Sequence, residues 1–466
     1  MRNLNPKNLI NSPKKLLPPR DVFSSKFGIL AAAAGSAIGL GNVWKFPYIT
    51  GVYGGGAFFL VYLFFILVIG IPVMLSEFTI GRTAKRNAYG AFKRLAPRSP
   101  WYMVGLMGVV SAFVILSFYS AVAGWTLEYI FHSIFNDFSG KSPEQLELVF
   151  DQFTSSVYRP IFWQLLFMVA TATIVIAGIK RGIEKYAKIL MPLLLVLIII
   201  LDIRAITLPG AMKGLSFLFN PDFSKLTSEG VLSALGHAFF SLSLGMGTLI
   251  TYGSYINDDD HLGNTALEVS IADTIIAVLA GIAIFPAVFA FGIEPSSGPG
   301  LIFITLPNIF QQIPGGQIFS IIFFILLAIA ALTSSISVME VVVAYFSEEL
   351  NLKRKNATIL AAISISFVGV LCSLSLRFPD LKLFNLNIFD FLDFTASNIL
   401  LPLGGLFIAV FTGWVYGKKR MKMRVTNEDR IKAPYFFFFF FFIKFLAPIG
   451  ITIVFLHGLG ILDFIF

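Results

Sequence analysis

The sequence is poor in cysteine, histidine and charge, and each shortage excludes a class of protein. Its single cysteine, Cys372, cannot form a disulfide within the chain or supply a cysteine-based metal site. Four histidines and one cysteine also lack the clustered spacing of a metal or nucleophilic active site, which disfavours an enzyme. Charged residues are only 13% of the 466, too few to keep a soluble domain of this length in solution.

Apolar sequence dominates instead, at 56% of all residues. It is gathered into eleven segments, each long enough to cross a bilayer at about 20 residues per crossing. We therefore predict an all-α polytopic membrane protein with about eleven transmembrane helices. The segments cover residues 24–50, 57–83, 101–132, 160–178, 184–208, 230–256, 265–292, 317–348, 356–376, 389–417 and 434–463.

The net charge of +9 indicates topology. A nucleic-acid-binding protein would gather its basic residues on one folded face, whereas here they lie mostly in short loops. Basic loops mark the cytoplasmic side of a membrane protein, so we expect the N-terminus on that side. The first apolar run follows Arg20 without a small-residue cleavage site, and we expect no cleaved signal peptide.

We divide the chain into three parts. Residues 1–22 form a polar, basic cytoplasmic tail, and residues 23–417 form a ten-helix core. Residues 418–466 comprise a cytoplasmic basic loop and the eleventh helix. The phenylalanine run at 436–442 on that helix is expected to face lipid.

One apolar stretch, Ala34 to Pro47, is interrupted by glycines. Because Gly35, Gly39 and Gly41 weaken a helix, we predict a break near Gly39. Backbone freed by such a break must be buried in protein or line a cavity, where its carbonyls can bind a cation and its N–H groups an anion. The alternative is a glycine-rich face that packs against a neighbouring helix.

Two further stretches carry polar groups within apolar segments. The sixth segment contains Ser241, Ser243, Gly245 and Gly247, and two broken segments five helices apart are typical of an inverted-repeat transporter. The eighth contains the hydroxyl cluster 333–335. Taken alone, these hydroxyl groups would bond back to their own helix or mediate helix packing.

Three motifs together resemble the neurotransmitter:sodium symporter family. They are Gly-Leu-Gly-Asn at 39–42, Ser-Leu-Ser-Leu-Gly at 241–245 and Leu-Thr-Ser-Ser at 332–335. The resemblance covers residues 20 to about 417, and it implies a 5+5 inverted-repeat fold with helices 1 and 6 broken. It also implies sodium-coupled amino-acid import by alternating access. Many members carry a twelfth helix, which this sequence lacks.

The resemblance implies two sodium sites. Sodium is a hard cation that binds uncharged oxygens with one or two carboxylates nearby. The first site would use Ala37, Asn42, Ser241 and Asp273. The second would use Gly35, Ile38, Ala330, Thr333 and Ser334.

Asp273 is the unusual member of this set, because many relatives have asparagine there. A carboxyl group inside a membrane helix is functional by default, although Asp273 could instead be hydrated near the helix end. Chloride-dependent relatives bind the anion beside this position, where Tyr62, His237, Ser241 and Ala277 are the equivalents. A fixed carboxylate would supply that negative charge, so we expect chloride independence. His237 and Ala277 depart from the usual anion-site pattern, which agrees but could also reflect a different proton linkage.

The resemblance also implies a substrate site. Amine-transporting relatives have aspartate at the position of Gly39, and glycine leaves room for a substrate carboxylate. Tyr119 matches the tyrosine that meets this carboxylate, although it could be an interfacial or packing tyrosine. Met246 replaces a phenylalanine of leucine-selective relatives, which favours large or aromatic substrates. The predicted site residues are Ser36, Ala37, Gly39, Leu40, Gly41, Ile115, Tyr119, Phe240, Ser241, Ser243, Met246, Ser334 and Val338.

Two gates follow from the same resemblance. Lys45 and Asp393 would approach each other above Phe240 at the outer gate. Lysine here replaces the commoner arginine, so the contact should be weaker. The inner gate would comprise Arg20, Phe23, Tyr255 and Glu348. The charged residues of either gate could instead form no more than a surface ion pair.

Some expectations rest on the resemblance alone. The outer loop 293–316, rich in proline and glycine, resembles the family's extracellular lid, but it could be an ordinary connection. The lipid bilayer is the expected environment, a bacterial inner membrane is the expected location, and the resemblance leaves a homodimer open. A channel, a broader amino-acid permease and a sodium-dependent amino-acid sensor that no longer transports are the rival functions.

Overall fold

The computed structural model describes residues 21–292, 300–378 and 380–461. Its first helices are α1 (Lys26–Ala37), α2 (Gly41–Val52), α3 (Gly56–Ala84), α4 (Ala88–Leu95), α5 (Tyr102–Ile134), α6 (Pro143–Thr154), α7 (Arg159–Ile176) and α8 (Ile179–Ile206). The next are α9 (Ala211–Phe219), α10 (Ser228–Ser241), α11 (Thr248–Gly253), α12 (Leu262–Ala290) and α13 (Leu306–Gln312). The last are α14 (Gly316–Glu349), α15 (Arg354–Arg377), α16 (Ile388–Tyr416), α17 (Lys418–Val425) and α18 (Phe436–Gly458).

The remaining elements are short. Residues Phe223–Lys225 form a 3-10 turn, and Leu301–Thr305 form a wide helical turn before α13. Strands β1 (Lys382–Leu383) and β2 (Leu386–Asn387) pair antiparallel in a small hairpin before α16.

The prediction of an all-α polytopic membrane protein is confirmed. Within the described residues, nine continuous helices are long and apolar enough to span a membrane, and the bent pair α1 and α2 makes a tenth. The sixth predicted segment is divided between α10 and α11, so each of the eleven apolar segments contains helix. Lipid cannot form hydrogen bonds with backbone N–H and C=O groups, whereas a helix pairs these groups within itself.

The two broken segments lie at the centre of the bundle. α1 packs against α8, α12 and α14, and α14 packs along much of α5. The alanines at 31–34 of α1 are buried, and such small side chains let neighbouring helices approach closely. This packing surrounds the two breaks with protein, as an unwound membrane segment requires.

The outer loops contain more helix than the sequence indicated. The loop 133–159 includes α6, whose N-terminus is capped by Ser142 and Gln145 in a capping box. The proposed lid 293–316 is helical in α13, while residues 293–299 lie outside the described residues. The phenylalanine run faces both ways, since Phe437 and Phe438 are exposed and Phe439 is buried.

Candidate functional site

The first membrane segment breaks at the predicted place. α1 ends at Ala37, and Ile38 has an extended backbone with φ −74° and ψ 101°. α2 then continues at 51° to α1. The Ser36 carbonyl accepts hydrogen bonds from the Ser243 hydroxyl at 2.8 Å and the Ser334 hydroxyl at 3.2 Å. Carbonyl groups that a helix end leaves unpaired are thus turned toward two other helices.

The second break separates α10 from α11. Backbone φ angles are positive at Ser243 (54°), Gly245 (80°) and Gly247 (75°). Glycine adopts this region freely, but serine does so at a cost. The hydrogen bond from the Ser243 hydroxyl to the Ser36 carbonyl holds Ser243 in this conformation and joins the two breaks to each other.

Glu77 of α3 supports the second break, and sequence reasoning missed it. Its carboxyl group is fully buried, and its Oε1 accepts a hydrogen bond from the Gly245 backbone N–H at 2.8 Å. An N–H group freed inside a membrane protein needs such a partner. The acidic residue in an apolar segment was itself a signal. Its partner is 168 residues away, however, and no spacing rule connects the two.

We expect Glu77→Ala to lower stability by about 1–3 kcal/mol, because the buried Gly245 N–H would lose its partner. The measurement is thermal unfolding of the purified protein in detergent, with and without sodium. Glu77→Gln keeps a carbonyl oxygen at the same position and should retain most of the stability. Equal stability of Glu77→Ala and wild type would contradict the role of this hydrogen bond.

A narrow cavity of about 20 Å³ lies between the two breaks, α5 and α14. Every residue predicted to bind substrate lines it. These are Ser36, Ala37, Gly39, Leu40, Gly41, Ile115, Tyr119, Phe240, Ser241, Ser243, Met246, Ser334 and Val338. Leu116 also lines the cavity and was not predicted, because no motif marks it. A cavity with apolar walls and a few polar groups suits a small organic ligand.

Polar groups are concentrated at one end of this cavity. The Tyr119 hydroxyl accepts a hydrogen bond from the Leu40 N–H at 3.2 Å, and Tyr119 is buried, so it is not a tyrosine of the membrane interface. A Cβ atom on Gly39 would lie 3.1 Å from the Tyr119 hydroxyl and 3.1 Å from Ser334 Cβ. Glycine at 39 therefore keeps space open beside hydroxyl and N–H groups, which are suitable partners for a carboxylate.

The other end of the cavity is apolar. Ile115, Met246 and Val338 are buried there, and the partly buried Phe240 ring lies beside Gly41. Methionine has three rotatable bonds and a polarizable sulfur, so Met246 can adapt to rings of different size. A hydrophobic group bound here would pack against these side chains.

Asp273 is fully buried at the first break, so the alternative of a hydrated residue near the helix end does not fit. Its carboxylate accepts hydrogen bonds from Asn42 Nδ2 at 2.7 Å, Ser241 Oγ at 2.9 Å and the Tyr62 hydroxyl at 3.2 Å. Asn42 Oδ1 in turn accepts from the Gly39 N–H at 3.2 Å. The structure thus brings three of the predicted first-site residues together, and each has a side-chain oxygen, the type of ligand that a hard cation prefers.

The second predicted sodium site lies between α1 and α14. A Cβ atom on Gly35 would lie 3.3 Å from Thr333 Cβ, so the two residues are neighbours. The Thr333 hydroxyl bonds back to the carbonyls of Ile329 and Ala330, at 3.0 and 3.1 Å, which is the usual behaviour of a membrane threonine. Ile38 is buried at the end of α1. Sodium binding by this group stays a prediction.

Asp273 lies beside the residues that the resemblance assigned to an anion site. Tyr62 donates to Asp273, and the Tyr62 and His237 rings are 5.3 Å apart between centroids. Ala277 is buried one helical turn after Asp273. Among the described residues, neither ring nitrogen of His237 has a hydrogen-bond partner.

The predicted outer-gate residues line a second cavity of about 240 Å³, which shares Leu40, Gly41, Tyr119 and Phe240 with the first. Lys45 Nζ lies 4.7 Å from the centroid of the Phe240 ring, and Asp393 accepts a hydrogen bond from the Ser397 hydroxyl at 3.0 Å. In the described part of the chain, no ion pair within 4.0 Å joins Lys45 to Asp393. Lys45 instead makes a cation–π contact with the Phe240 ring.

The residues of the predicted inner gate are closely packed. Phe23 lies edge-on against Tyr252 and Tyr255, and its N–H donates to the Tyr255 carbonyl at 3.1 Å. The Tyr255 hydroxyl donates to Glu340 at 2.7 Å, and Glu340 forms a buried ion pair with Arg354 at 2.6 Å. Sequence reasoning missed Glu340 and Arg354, because neither belongs to a motif that we used.

Two predicted inner-gate residues need separate mention. Glu348 forms an ion pair with Arg86 at 3.2 Å and accepts hydrogen bonds from Asn87. Arg20 lies outside the described residues, so its predicted role is untested.

Comparisons with known proteins agree with the motifs. A family model described as the sodium:neurotransmitter symporter family matches residues 20–145 and 138–463. The uncharacterized sodium-dependent transporter YhdH of Bacillus subtilis is 41% identical over 443 residues, covering 95% of this chain and 98% of the relative. An uncharacterized sodium-dependent transporter of Haemophilus influenzae is 38% identical over 452 residues, covering 94% and 98%.

A solved structure is also similar. The crystal structure of MhsT in complex with L-phenylalanine is 48% identical to this chain, with a TM-score of 0.87. The match covers 94% of this chain and 100% of that one.

Proposed function

The chain belongs to the sodium:neurotransmitter symporter family, and we propose that it imports a large hydrophobic amino acid, aromatic ahead of leucine, together with sodium. The single observation that carries this proposal is the substrate cavity, with hydroxyl and N–H groups at the Gly39 end and Met246 at the apolar end. The family is one of transporters, which argues against enzymatic activity.

The amino-acid class follows from the polar end. A substrate carboxylate fits beside Tyr119 and Leu40 because residue 39 has no side chain. An acidic residue there would repel the carboxylate and favour an amine. The similar structure of MhsT holds L-phenylalanine, which supports a hydrophobic amino acid as the substrate of this chain.

Sodium is proposed to bind at the two sets of oxygens near the breaks. The names of the relatives support sodium dependence, and the Asn42, Ser241 and Asp273 cluster supports the first site. A carboxylate from the substrate would add another oxygen next to this cluster, so that sodium and substrate would bind more tightly together than alone. We therefore propose two sodium sites.

We also propose that transport does not require chloride. The Asp273 carboxylate, hydrogen-bonded to Tyr62, supplies an acidic group at the position of the anion. With this group in place, charge balance at the first sodium site needs no added anion.

Alternating access is proposed to move the substrate. The cavity between Lys45 and Asp393 suits entry from outside, while the Phe23 and Tyr255 packing suits a closed inner side. Transport would require these two regions to open and close in turn. We also propose a cytoplasmic N-terminus, which the basic loops support, and a bacterial inner membrane as the location.

The test is uptake into proteoliposomes under an inward sodium gradient, with chloride replaced by gluconate. We expect accumulation of labelled phenylalanine, tryptophan and tyrosine, weaker accumulation of leucine, and none of glycine or dopamine. Sodium-dependent binding without accumulation would contradict transport and indicate a sensor. Uptake without a sodium effect would contradict the ion sites.

We expect Met246→Phe to reduce aromatic uptake several-fold more than leucine uptake, because a stiffer and larger side chain narrows the apolar end. The measurement compares initial rates for phenylalanine and leucine in the same vesicles. Met339→Phe, at a buried position of α14 that does not line the cavity, is the control for general core disturbance. Equal loss of both substrates in Met246→Phe would argue against the selectivity role.

A further inference from the structure

A basic helix, α17, follows the last helix of the transport core on the cytoplasmic side. Its buried residues Met421 and Val425 fix it to the core. Its other side chains are exposed, and four of them at the N-terminal end are basic: Lys418, Lys419, Arg420 and Lys422. The helix therefore presents a cationic surface that the transport mechanism does not use.

This cationic surface is not neutralised by the protein. At the other end of α17, Arg424 lies 3.6 Å from Glu428, and Arg430 lies 3.7 Å from Asp259. No ion pair within 4.0 Å involves the four basic residues at the N-terminal end, as far as the described residues extend. Glu428 and Asp259 are thus paired with other cations, and the four basic residues remain available to an external anion.

Exposed aromatic rings place the same helix at the membrane surface. Trp414, just before α17, is 60% exposed, and Phe437 is 65% exposed. Lys418 Nζ lies 5.9 Å from the Phe437 ring centroid, and Lys444 Nζ lies 4.5 Å from that of Trp414. Tryptophan beside lysine is typical of the boundary between hydrocarbon and headgroups.

We propose that α17 binds the phosphate headgroups of anionic phospholipids in the cytoplasmic leaflet. Clustered lysines and arginines next to a membrane helix attract anionic headgroups, and the adjacent rings favour a lipid over a soluble anion. The proposal commits to lipid as the partner of this surface and is independent of which substrate is transported.

Binding there would affect the inner side of the protein. Arg82 of α3 donates to the Arg424 carbonyl of α17 and to the Asp260 carbonyl at 2.7 Å. In the same loop, Asn257 donates to the Phe23 carbonyl at 3.4 Å. A lipid that holds α17 would therefore also steady the loop that contacts the segment before α1.

The test uses the full chain in detergent, with phosphatidylglycerol or phosphatidylcholine added and retained lipid counted by native mass spectrometry. The variant K419Q/R420Q/K422Q removes three charges from α17. The matched control K180Q/R181Q/K185Q removes three exposed charges from the first turns of α8, predicted to be on the same side. Sodium-dependent thermal stabilisation confirms that both variants are folded.

We expect about tenfold weaker retention of phosphatidylglycerol in the α17 variant, with little change in the control and no preference for phosphatidylcholine. Equal losses of phosphatidylglycerol retention in both variants would overturn the proposal, because the effect would then come from basic charge in general and not from α17. Unchanged retention in the α17 variant would also overturn it. Displacement of the lipid by excess inorganic phosphate would identify a soluble-anion site and contradict lipid as the partner.

Discussion

Replacing Asp273 with serine should make amino-acid uptake depend on chloride. In gluconate buffer we expect uptake to fall about 30-fold, which corresponds to about 2 kcal/mol, because the substitution removes the carboxylate that Asn42, Ser241 and Tyr62 contact. Serine also leaves space where an anion can replace the lost charge. Adding chloride should therefore restore a large part of the uptake.

Two comparisons make this result specific. Asp273→Asn keeps the shape of the side chain but not its charge, so it should also lose uptake in gluconate and regain part of it in chloride. Wild-type uptake should be the same in chloride and gluconate. If Asp273→Ser were equally active in both buffers, the carboxylate would not be the fixed counter-charge of the sodium site.

Placing an acid at Gly39 should abolish amino-acid uptake. The first atom of the new side chain already meets Tyr119 and Ser334 at 3.1 Å. In Gly39→Asp, a carboxylate would fill the space proposed for the substrate carboxylate and lie close to the Asp273 cluster. We expect a loss of about 100-fold or more, as for a buried charge without a partner.

Alanine substitutions separate size from charge at this position. Gly39→Ala should reduce uptake by about tenfold, because its Cβ makes the same close contacts without adding charge. Gly236→Ala is the matched control, since its Cβ would meet Val454 only at 3.8 Å, an ordinary distance. Substrate-binding measurements should follow the same order. Near-normal amino-acid uptake by Gly39→Asp would place the substrate carboxylate elsewhere.

Much of the local structure could be predicted from the sequence. Apolar length located the membrane segments because each must satisfy its backbone inside lipid. The glycines around Gly39 located the first break, and the motif resemblance identified the residues that line the substrate cavity apart from Leu116. These features depend on nearby residues, which short stretches of sequence contain.

Contacts between distant segments could not be predicted in this way. Glu77 meets Gly245 across 168 residues, and the partner of Tyr255 is Glu340, 85 residues away. Lys45 and Asp393 line the same cavity, and the contact of Lys45 with the Phe240 ring beneath it is visible only in the structure. A buried polar side chain bonds to the partner that the packing of all the helices, and the conformation of the transporter, bring next to it.

The sequence by itself determined that this is a helical membrane protein, where its helices lie and which of them break. Hydrophobic length and glycine content decide these properties locally. Only the tertiary structure decided how the two breaks are joined through Ser36 and Ser243, how Glu77 holds the second break, and where α17 lies relative to the inner side. Buried polar groups must find partners, and those partners become neighbours only when the helices pack.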